Sequence, residues 1–95
     1  MYARAWLVNA EPEKRDEIEQ VIRNAVLPSA RQQQGYKGYL ALFDPSTGKG
    51  MAIALWETEA DLNASEAIAQ EQVAKSTRLF TSAPVREVYE VLVHE

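Results

Sequence analysis

The hydrophobic positions in the first third of the chain predict a strand followed by a helix. Residues 2–9 (YARAWLVN) are rich in apolar and aromatic side chains, which is typical of a β-strand. Further along, apolar residues recur with the spacing of one helical face: Ile18, Val21, Ile22, Ala25 and Val26. We expect this helix to begin near Pro12, to be interrupted or restarted at Pro28, and to end before Gly35.

The middle of the chain predicts a β-hairpin. Residues 36–43 and 49–57 are both strand-like, and they flank the turn sequence DPSTG at residues 44–48. The short sequence Gly48-Lys49-Gly50 lacks the earlier glycine and the following serine or threonine of a phosphate-binding loop. A strand rather than a helix follows it as well, so we interpret it as part of the turn.

A second helix and a last strand complete the predicted order. Thr58 and Asp61 have the spacing of a capping box with a shorter acid, so a helix should begin after Thr58. It should continue, with a kink near Ser65, to about Phe80. A strand is then expected from Val85 to Val93.

The order β-α-β-β-α-β predicts a single α+β domain over residues 1–95, with a ferredoxin-like fold. Such a fold has a four-stranded antiparallel sheet with two helices on one face. The helices cover only that face, yet residues 40–43 and 51–56 are apolar on both faces. A second copy of the sheet is the simplest cover, which predicts a homodimer. The alternative is a monomer with a few exposed apolar side chains.

The composition disfavours several classes of function. The net charge of −4 argues against sequence-independent binding of nucleic acid, which needs a basic face. The chain has no cysteine, which rules out disulfides, thiolate nucleophiles and cysteine metal sites. No apolar stretch has the length of a signal-peptide core or a membrane span, so we expect a cytoplasmic protein without a membrane partner.

Side chains for metal binding or hydrolysis are sparse. His94 is the only histidine. The densest acidic group comprises Glu57, Glu59, Asp61 and Glu66. Acidic residues at a helix start complement the positive end of its dipole, so a solvated surface is favoured over a metal site. The serines have no second histidine to share, and the sequence therefore leaves the catalytic residues unknown.

Arg4 is the most informative charged residue. In a strand it shares a face with Trp6. A buried arginine needs a partner, and the first and last strands are neighbours in this fold, so we expect Glu87 or Glu90 to supply one. Two interpretations remain open: an Arg–Glu pair that sets the strand register, or an anchor for an anion on a pocket wall beside Trp6.

The second helix is rich in small residues: Ala60, Ala64, Ala67, Ala69 and Ala74. Small side chains allow a helix to pack closely on a sheet, or they leave a cleft between helix and sheet for a ligand. The sequence is compatible with both arrangements.

The whole chain resembles the antibiotic biosynthesis monooxygenase (ABM) type of dimeric α+β barrel protein. The features of the resemblance are WETEA at residues 56–60, Leu27-Pro28, GYKG at residues 35–38, the turn at residues 44–48, and a closing strand that ends with VYEV at residues 88–91. The resemblance implies a homodimer whose eight strands form a barrel, with a ligand cleft between each sheet and its helices.

Members of this family include cofactor-independent monooxygenases of polyphenolic substrates and haem-degrading enzymes. In the monooxygenases the substrate's own anion supplies electrons to O₂, and the protein supplies a water-poor pocket and polar groups that hold the anion. Haem-degrading members carry Asn, Trp and His where this chain has approximately Arg4, Ser65 and Lys75. The resemblance therefore implies no haem. The junction Trp56 does match, but it recurs in members with different activities.

We therefore predict an ABM-like oxygenase that acts on an aromatic or polyketide-like molecule without metal or flavin. The candidate ligand-binding residues are Arg4, Trp6, Trp56 and Ser65. The alternative is a non-catalytic, dimeric, small-molecule-binding or stress-associated barrel protein. An isomerase or dehydratase on the same barrel needs a base that the sequence does not show. An open apolar cleft with Arg4, Trp6 or Trp56 exposed in it favours a ligand, whereas a space filled by side chains, with Arg4 buried against a glutamate, disfavours one.

Overall fold

The structure, a computed structural model that describes residues 1–95, contains one four-stranded antiparallel sheet. Its strands are β1 (Tyr2–Asn9), β2 (Tyr36–Phe43), β3 (Lys49–Trp56) and β4 (Val85–Glu90), in the spatial order β2-β3-β1-β4. The predicted α+β, ferredoxin-like fold is confirmed. The last strand is shorter than expected, because it ends at Glu90 rather than Val93.

The first helical segment (residues 12–31) continues through Pro28. It consists of a 3₁₀ turn (Pro12–Lys14), α1 (Arg15–Val21), a π-helical turn (Ile22–Val26) and α2 (Leu27–Arg31). A proline inside a helix lacks an amide donor, and its ring crowds the carbonyl group four residues back. In the wider π turn directly before Pro28, the Leu27 amide donates to the Ile22 carbonyl. The predicted interruption is therefore a local widening of the helix.

The second helical segment (residues 59–79) contains α3 (Glu59–Ala64), α4 (Glu66–Lys75) and a 3₁₀ turn (Thr77–Leu79). Thr58 caps α3, because its hydroxyl accepts a hydrogen bond from the Asp61 amide at 3.0 Å. Ser65 separates α3 from α4, which is where the sequence predicts the kink. Trp56 and Leu62 are the largest fully buried side chains. No helix combines the length and apolar character needed to cross a membrane.

Small residues of β3 form the floor of a groove on the helix-facing side of the sheet. The strand register gives this groove a floor and two walls. The floor is the row Ala54-Ala52-Gly50 of β3, and the walls are the rows Arg4-Trp6-Val8 of β1 and Tyr39-Ala41-Phe43 of β2. Neighbouring strands lie about 4.8 Å apart, so the backbones of the walls are about 10 Å apart. Trp56 closes one end of the groove. Since β3 places its larger residues on the other face, one strand both forms the groove and contributes to an apolar outer surface.

The outer face of the sheet carries exposed apolar side chains. Leu40 and Tyr89 are each 53 % exposed, and Val85 is 55 % exposed. The large residues of β3 lie on the same face: Met51, Ile53 and Leu55. The strands are thus apolar on both faces, as the sequence indicates. Within this chain the helices cover only the other face, and the homodimer stays a prediction.

Gly48 fixes the turn between β2 and β3. Its φ of +81° lies in the left-handed region that favours glycine. A Cβ atom at this position would lie 1.8 Å from the carbonyl oxygen of Ala10, and the Ala10 amide donates to the Gly48 carbonyl at 2.8 Å. This close approach joins the hairpin turn to the chain that leaves β1.

Candidate functional site

A cleft of about 570 Å³ lies between the sheet and the two helical segments. Most of its lining is hydrophobic, and that volume falls within the ~300–1,000 Å³ typical of small-molecule sites. The groove in the sheet provides the floor, while residues of both helical segments provide the roof, among them Ile18, Ile22, Val26, Ala69 and Val73. Of the alanines in the second helix only Ala69 lines the cleft, so the space comes from the small residues of β3 rather than from the helix.

The four predicted ligand-binding residues lie around this one cleft. Arg4, Trp6 and Trp56 reach it from the sheet, and Ser65 reaches it from the junction between α3 and α4. Trp6 is half-buried on the wall of the groove, one row along the strand from Arg4. The structure thus brings together side chains from two distant parts of the sequence.

Arg4 is held beneath the second helical segment by Ser65. Its side chain is 3 % exposed, and Nη1 and Nη2 each donate a hydrogen bond of 2.8 Å to Ser65 Oγ. Burial lowers the pKa of Arg4 from its ordinary value, and the negative charge of Glu66 opposes this effect. A guanidinium group has five N–H donors, and the other three make no hydrogen bond within the chain.

The Ser65 hydroxyl is fully used. It donates to the Leu62 carbonyl at 2.7 Å while both of its acceptor sites receive N–H groups of Arg4. A nucleophilic serine needs a base that takes its proton, whereas the Ser65 O–H donates to a backbone carbonyl, which is not a base. Ser65 is therefore a positioning residue for Arg4.

Glu66 joins Arg4 to Arg86 on the edge strand β4. Both oxygens of Glu66 accept hydrogen bonds from Arg86, at 2.7 and 2.9 Å, and Oε1 lies 3.6 Å from Arg4 Nη1. The longer distance is an ion pair without a hydrogen bond. Burial acts to raise the pKa of Glu66, but hydrogen bonds from Arg86 and Gln70 and the charges of both arginines outweigh it and hold that pKa below its ordinary value.

The expected partner of Arg4 was wrong. The sequence predicts Glu87 or Glu90, whereas the carboxylate nearest to Arg4 belongs to Glu66 on α4. The register explains the difference for Glu87, which pairs with Ala5 and so points to the outer face of the sheet. There Glu87 accepts a hydrogen bond from the Tyr89 hydroxyl at 2.6 Å. Glu90 pairs with Tyr2, on the same face as Arg4, but it lies at the exposed end of β4 and makes no ion pair with Arg4.

Trp56 forms the base of the site beside Arg4. Its side chain is 1 % exposed, and its ring centroid lies 5.8 Å from Arg4 Cζ, within the range of a cation–π contact. Tyr36 packs edge-on against the ring, with 6.1 Å between centroids. The indole Nε1 is buried without a hydrogen-bond partner. Such an unmet donor costs about 1–3 kcal/mol, which an acceptor atom nearby would recover.

Tyr39 faces Arg4 across Ala54 and was missed by the sequence reasoning. A simple alternation starting at Tyr36 would place Tyr39 on the outer face. A β-bulge between Tyr36 and Gly38 shifts the register and turns Tyr39 toward the cleft. Burial raises its pKa to about 12, helped by Tyr36 and opposed by Arg4. Tyr39 is therefore a neutral phenol at physiological pH and not a base.

Other candidates lie outside the cleft. His94 is exposed, as are Glu57 and Glu59. No three acidic, histidine or cysteine side chains converge in a way that would hold a metal ion. The chemistry available in the cleft is therefore to hold an anionic, largely apolar molecule against a buried cation. No side chain there offers a base with a pKa near neutrality.

Solved structures of other proteins share this fold. A protein of unknown function from Nitrosomonas europaea is 25 % identical, with a TM-score of 0.78 over 99 % of this chain and 91 % of that one. A monooxygenase from Streptomyces coelicolor, solved in complex with nanaomycin D, is 11 % identical, with a TM-score of 0.80 over 99 % and 89 %. These values show a common fold.

A third structure carries the family name that the sequence suggests. A protein from Deinococcus radiodurans, provisionally named an antibiotic biosynthesis monooxygenase, is 17 % identical, with a TM-score of 0.78 over 100 % of this chain and 96 % of that one. No protein-family model and no curated protein sequence matches the chain. The resemblance to ABM-type proteins is thus confirmed at the level of the fold.

Proposed function

We propose that this protein is an ABM-type monooxygenase that binds an aromatic or polyketide-like molecule in the cleft and oxygenates it without metal or flavin. One observation carries the proposal: an apolar cleft of about 570 Å³ is built around a buried arginine with unused N–H donors. Two structural neighbours add support, since one is a monooxygenase in complex with nanaomycin D and another carries the ABM name.

The proposed reaction converts a phenolic ring and O₂ into a quinone and water. The phenolate supplies electrons to O₂, one oxygen atom becomes the new ring carbonyl, and the second leaves as water with the phenol proton and the hydrogen of the attacked carbon. Arg4 stabilises the phenolate, and Tyr39 and the Trp56 N–H are further donors for oxygen atoms of the substrate. The apolar lining limits the access of water to the intermediates.

Oxygen consumption with a panel of naphthols and dihydroxynaphthalenes tests this function. We expect at least one member to consume O₂ and to form a quinone with the wild type. Arg4→Met should lose this activity, while Arg78→Met should keep it, because Arg78 is exposed and lies outside the cleft lining. Absence of turnover across the panel, or equal turnover in both variants, contradicts the proposal.

A specific observation also favours a non-catalytic binding protein. The titratable groups at the base of the cleft are Arg4 and Tyr39, and neither accepts a proton at neutral pH. The fold by itself establishes no activity. A ligand that binds in the cleft and is recovered unchanged in the presence of O₂ would favour this second function.

We further propose that two copies pair through the outer face of the sheet. The exposed apolar residues Leu40, Val85 and Tyr89 support this pairing, because an apolar face of this kind marks an interface. Light scattering at micromolar concentration should give the mass of a dimer. Leu40→Glu should give a monomer, whereas Ile68→Glu, on the exposed side of α4, should leave the mass unchanged. A monomeric wild type contradicts the proposal.

We also propose that residues 1–95 form one domain and that the protein is located in the cytoplasm. A single domain should unfold in one calorimetric transition, with equal calorimetric and van't Hoff enthalpies. Two separate transitions would contradict the single domain, and recovery of the protein in a membrane or secreted fraction would contradict the location.

A further inference from the structure

The charge of the cleft is opposite in sign to the charge of the protein. The whole chain carries a net charge of −4. The cleft lining, in contrast, contains four arginines and a single acidic residue: Arg4, Arg15, Arg23 and Arg31, with Glu19. A cleft with one sign of charge and apolar walls concentrates ligands of the opposite sign. The remainder of the surface is acidic and repels them.

The arginines occupy two levels of the cleft. Arg4 lies at the base, and Arg15, Arg23 and Arg31 lie along the first helical segment above it. Glu19 is shared by Arg15 and Arg23, through hydrogen bonds of 2.6 and 2.7 Å, and Arg15 also pairs with Asp16 at 2.8 Å. Arg31 makes no ion pair within the chain. Of the three arginines on this helical segment, Arg31 is therefore the one whose charge the protein itself does not neutralise.

The groove in the sheet fixes the shape of the molecule that can approach Arg4. The backbones of its two walls are about 10 Å apart. Aromatic rings that stack on one another need about 4.5–7 Å between centroids, so this width accepts one ring at a time. One planar ring system fits edge-on between the walls, over Ala54 and Ala52. At the base it meets Arg4 and Tyr39, which flank Ala54 in the same row of the sheet.

We propose that the ligand of this cleft is a planar aromatic carboxylate, whose carboxylate binds the free N–H groups of Arg4 while its ring system lies over Ala54 and Ala52. This inference rests on the proposed function in using the same cleft, and it adds a permanent negative charge to the substrate. A carboxylate accepts two parallel hydrogen bonds from a guanidinium group, whereas a neutral phenol or amide lacks this geometry and charge.

Glu66 competes with the ligand for Arg4. Its Oε1 lies 3.6 Å from Arg4 Nη1, but its hydrogen bonds go to Arg86 and Gln70. A ligand carboxylate at Arg4 would therefore face the charge of Glu66 without having to break a hydrogen bond between Glu66 and Arg4. Removal of that charge, as in Glu66→Gln, should strengthen carboxylate binding.

Isothermal titration calorimetry with three probes tests the inference: 2-naphthoate, the uncharged 2-naphthamide, and acetate. The wild type should bind 2-naphthoate about 10- to 100-fold more tightly than 2-naphthamide, as expected for a charge-assisted pair of hydrogen bonds. Acetate should bind far more weakly than 2-naphthoate, because it lacks the ring. Binding of 2-naphthoate should also weaken as the salt concentration rises.

Variants separate the roles of the charges. Arg4→Met should abolish the preference for 2-naphthoate over 2-naphthamide. Glu66→Gln should bind 2-naphthoate several-fold more tightly, whereas Glu71→Gln should not, because it makes the same change of net charge on α4 at a carboxylate that pairs with Lys75 and not with Arg4. A gain of affinity requires a folded protein, so misfolding cannot imitate it. Equal affinity for both naphthyl probes, or equal effects of the two glutamate variants, overturns the inference.

The outcomes distinguish this inference from the proposed function. Preference for 2-naphthoate without O₂ consumption by any phenol supports carboxylate binding and contradicts the oxygenase. Turnover of neutral naphthols without a preference for 2-naphthoate supports the oxygenase and contradicts carboxylate binding. Equal binding of acetate and 2-naphthoate contradicts the aromatic part of the inference.

Discussion

Replacement of Ser65 by alanine is expected to destabilise the protein strongly, because it removes the acceptor of two hydrogen bonds from a buried charge. The hydroxyl accepts from Arg4 Nη1 and Nη2 at 2.8 Å each, and it donates to the Leu62 carbonyl at 2.7 Å. The alanine variant loses all three bonds. The Arg4 side chain, which is 3 % exposed, then keeps the Glu66 carboxylate at 3.6 Å and the Trp56 ring at 5.8 Å.

The size of the effect follows from the value of a charged hydrogen bond. Each such bond contributes about 1.5–3 kcal/mol, and the two bonds from Arg4 share one oxygen. The freed guanidinium group can also move toward Glu66. We therefore expect the free energy of unfolding to fall by about 2–4 kcal/mol, which is less than the summed contributions of the lost hydrogen bonds. A domain of this size has a stability of roughly 5–14 kcal/mol. The melting temperature should therefore fall by at least about 8 °C.

Urea denaturation followed by circular dichroism measures this loss. The protein concentration must be the same for every variant, since association would otherwise contribute to the apparent stability. Ser82→Ala is the matched control, because Ser82 is exposed and receives only a 3.4 Å hydrogen bond from Asn9. Ser82→Ala should change the free energy of unfolding by no more than about 0.5 kcal/mol.

A double-mutant cycle identifies Arg4 as the reason. In an Arg4→Met background the buried charge is absent, and Ser65→Ala removes only the bond to the Leu62 carbonyl, so its cost should fall to about 1 kcal/mol. The coupling energy between the two sites should then be at least about 1 kcal/mol. If Ser65→Ala costs the same in both backgrounds, Ser65 does not hold Arg4 and the reasoning is refuted.

Four further predictions concern the backbone and the titratable groups. Gly48→Ala and Gly35→Ala, both at a φ of +81°, should each lower the melting temperature, and Gly48→Ala should lower it more. The new methyl group at Gly48 would lie 1.8 Å from the backbone carbonyl oxygen of Ala10, whereas at Gly35 the clash is with the side chain of Asp61, whose carboxylate can rotate away even though its Cβ lies 2.6 Å from the new atom. Thr58→Ala removes the cap of α3 and should lower the free energy of unfolding by about 1 kcal/mol in urea. Tyr39 should ionise only near pH 12 in an ultraviolet titration, and Tyr39→Phe should lack that step. Because folding raises this pKa, the stability it provides is complete below about pH 10 and is lost as the pH rises toward 12. Folding lowers the pKa of Glu66, so its contribution is present above about pH 4.3 and is lost on acidification, and Glu66→Gln should show a smaller loss of stability between pH 5 and pH 3 by urea denaturation.

The order and bounds of the strands could be read from the sequence because they depend on local signals. The period of the apolar residues and the turn at residues 44–48 place β1, β2 and β3 within a residue of the structure. The cap at Thr58 likewise predicts the start of α3. The end of β4 was less predictable, since apolar residues continue to Val93 after the pairing with β1 has ended at Glu90.

The site was only partly predictable, because its contacts join residues far apart in the sequence. Arg4 and Ser65 are 61 positions apart, and no periodicity connects them. Neighbouring strands suggested a glutamate of β4 as the partner of Arg4, whereas the helix layer above the sheet supplies Glu66. Tyr39 was missed for a different reason, because a single bulge reverses the face that alternation predicts.

The position of the two tryptophans provides an internal optical probe. The chain contains only Trp6 and Trp56, and both lie against the same cleft. The tryptophan emission of the protein therefore reports on this one region without an added label. Trp6→Phe would leave Trp56 as a single emitter, 5.8 Å from the Arg4 guanidinium. Its spectrum and lifetime would then follow the filling of the cleft and the movement of the charge beside it.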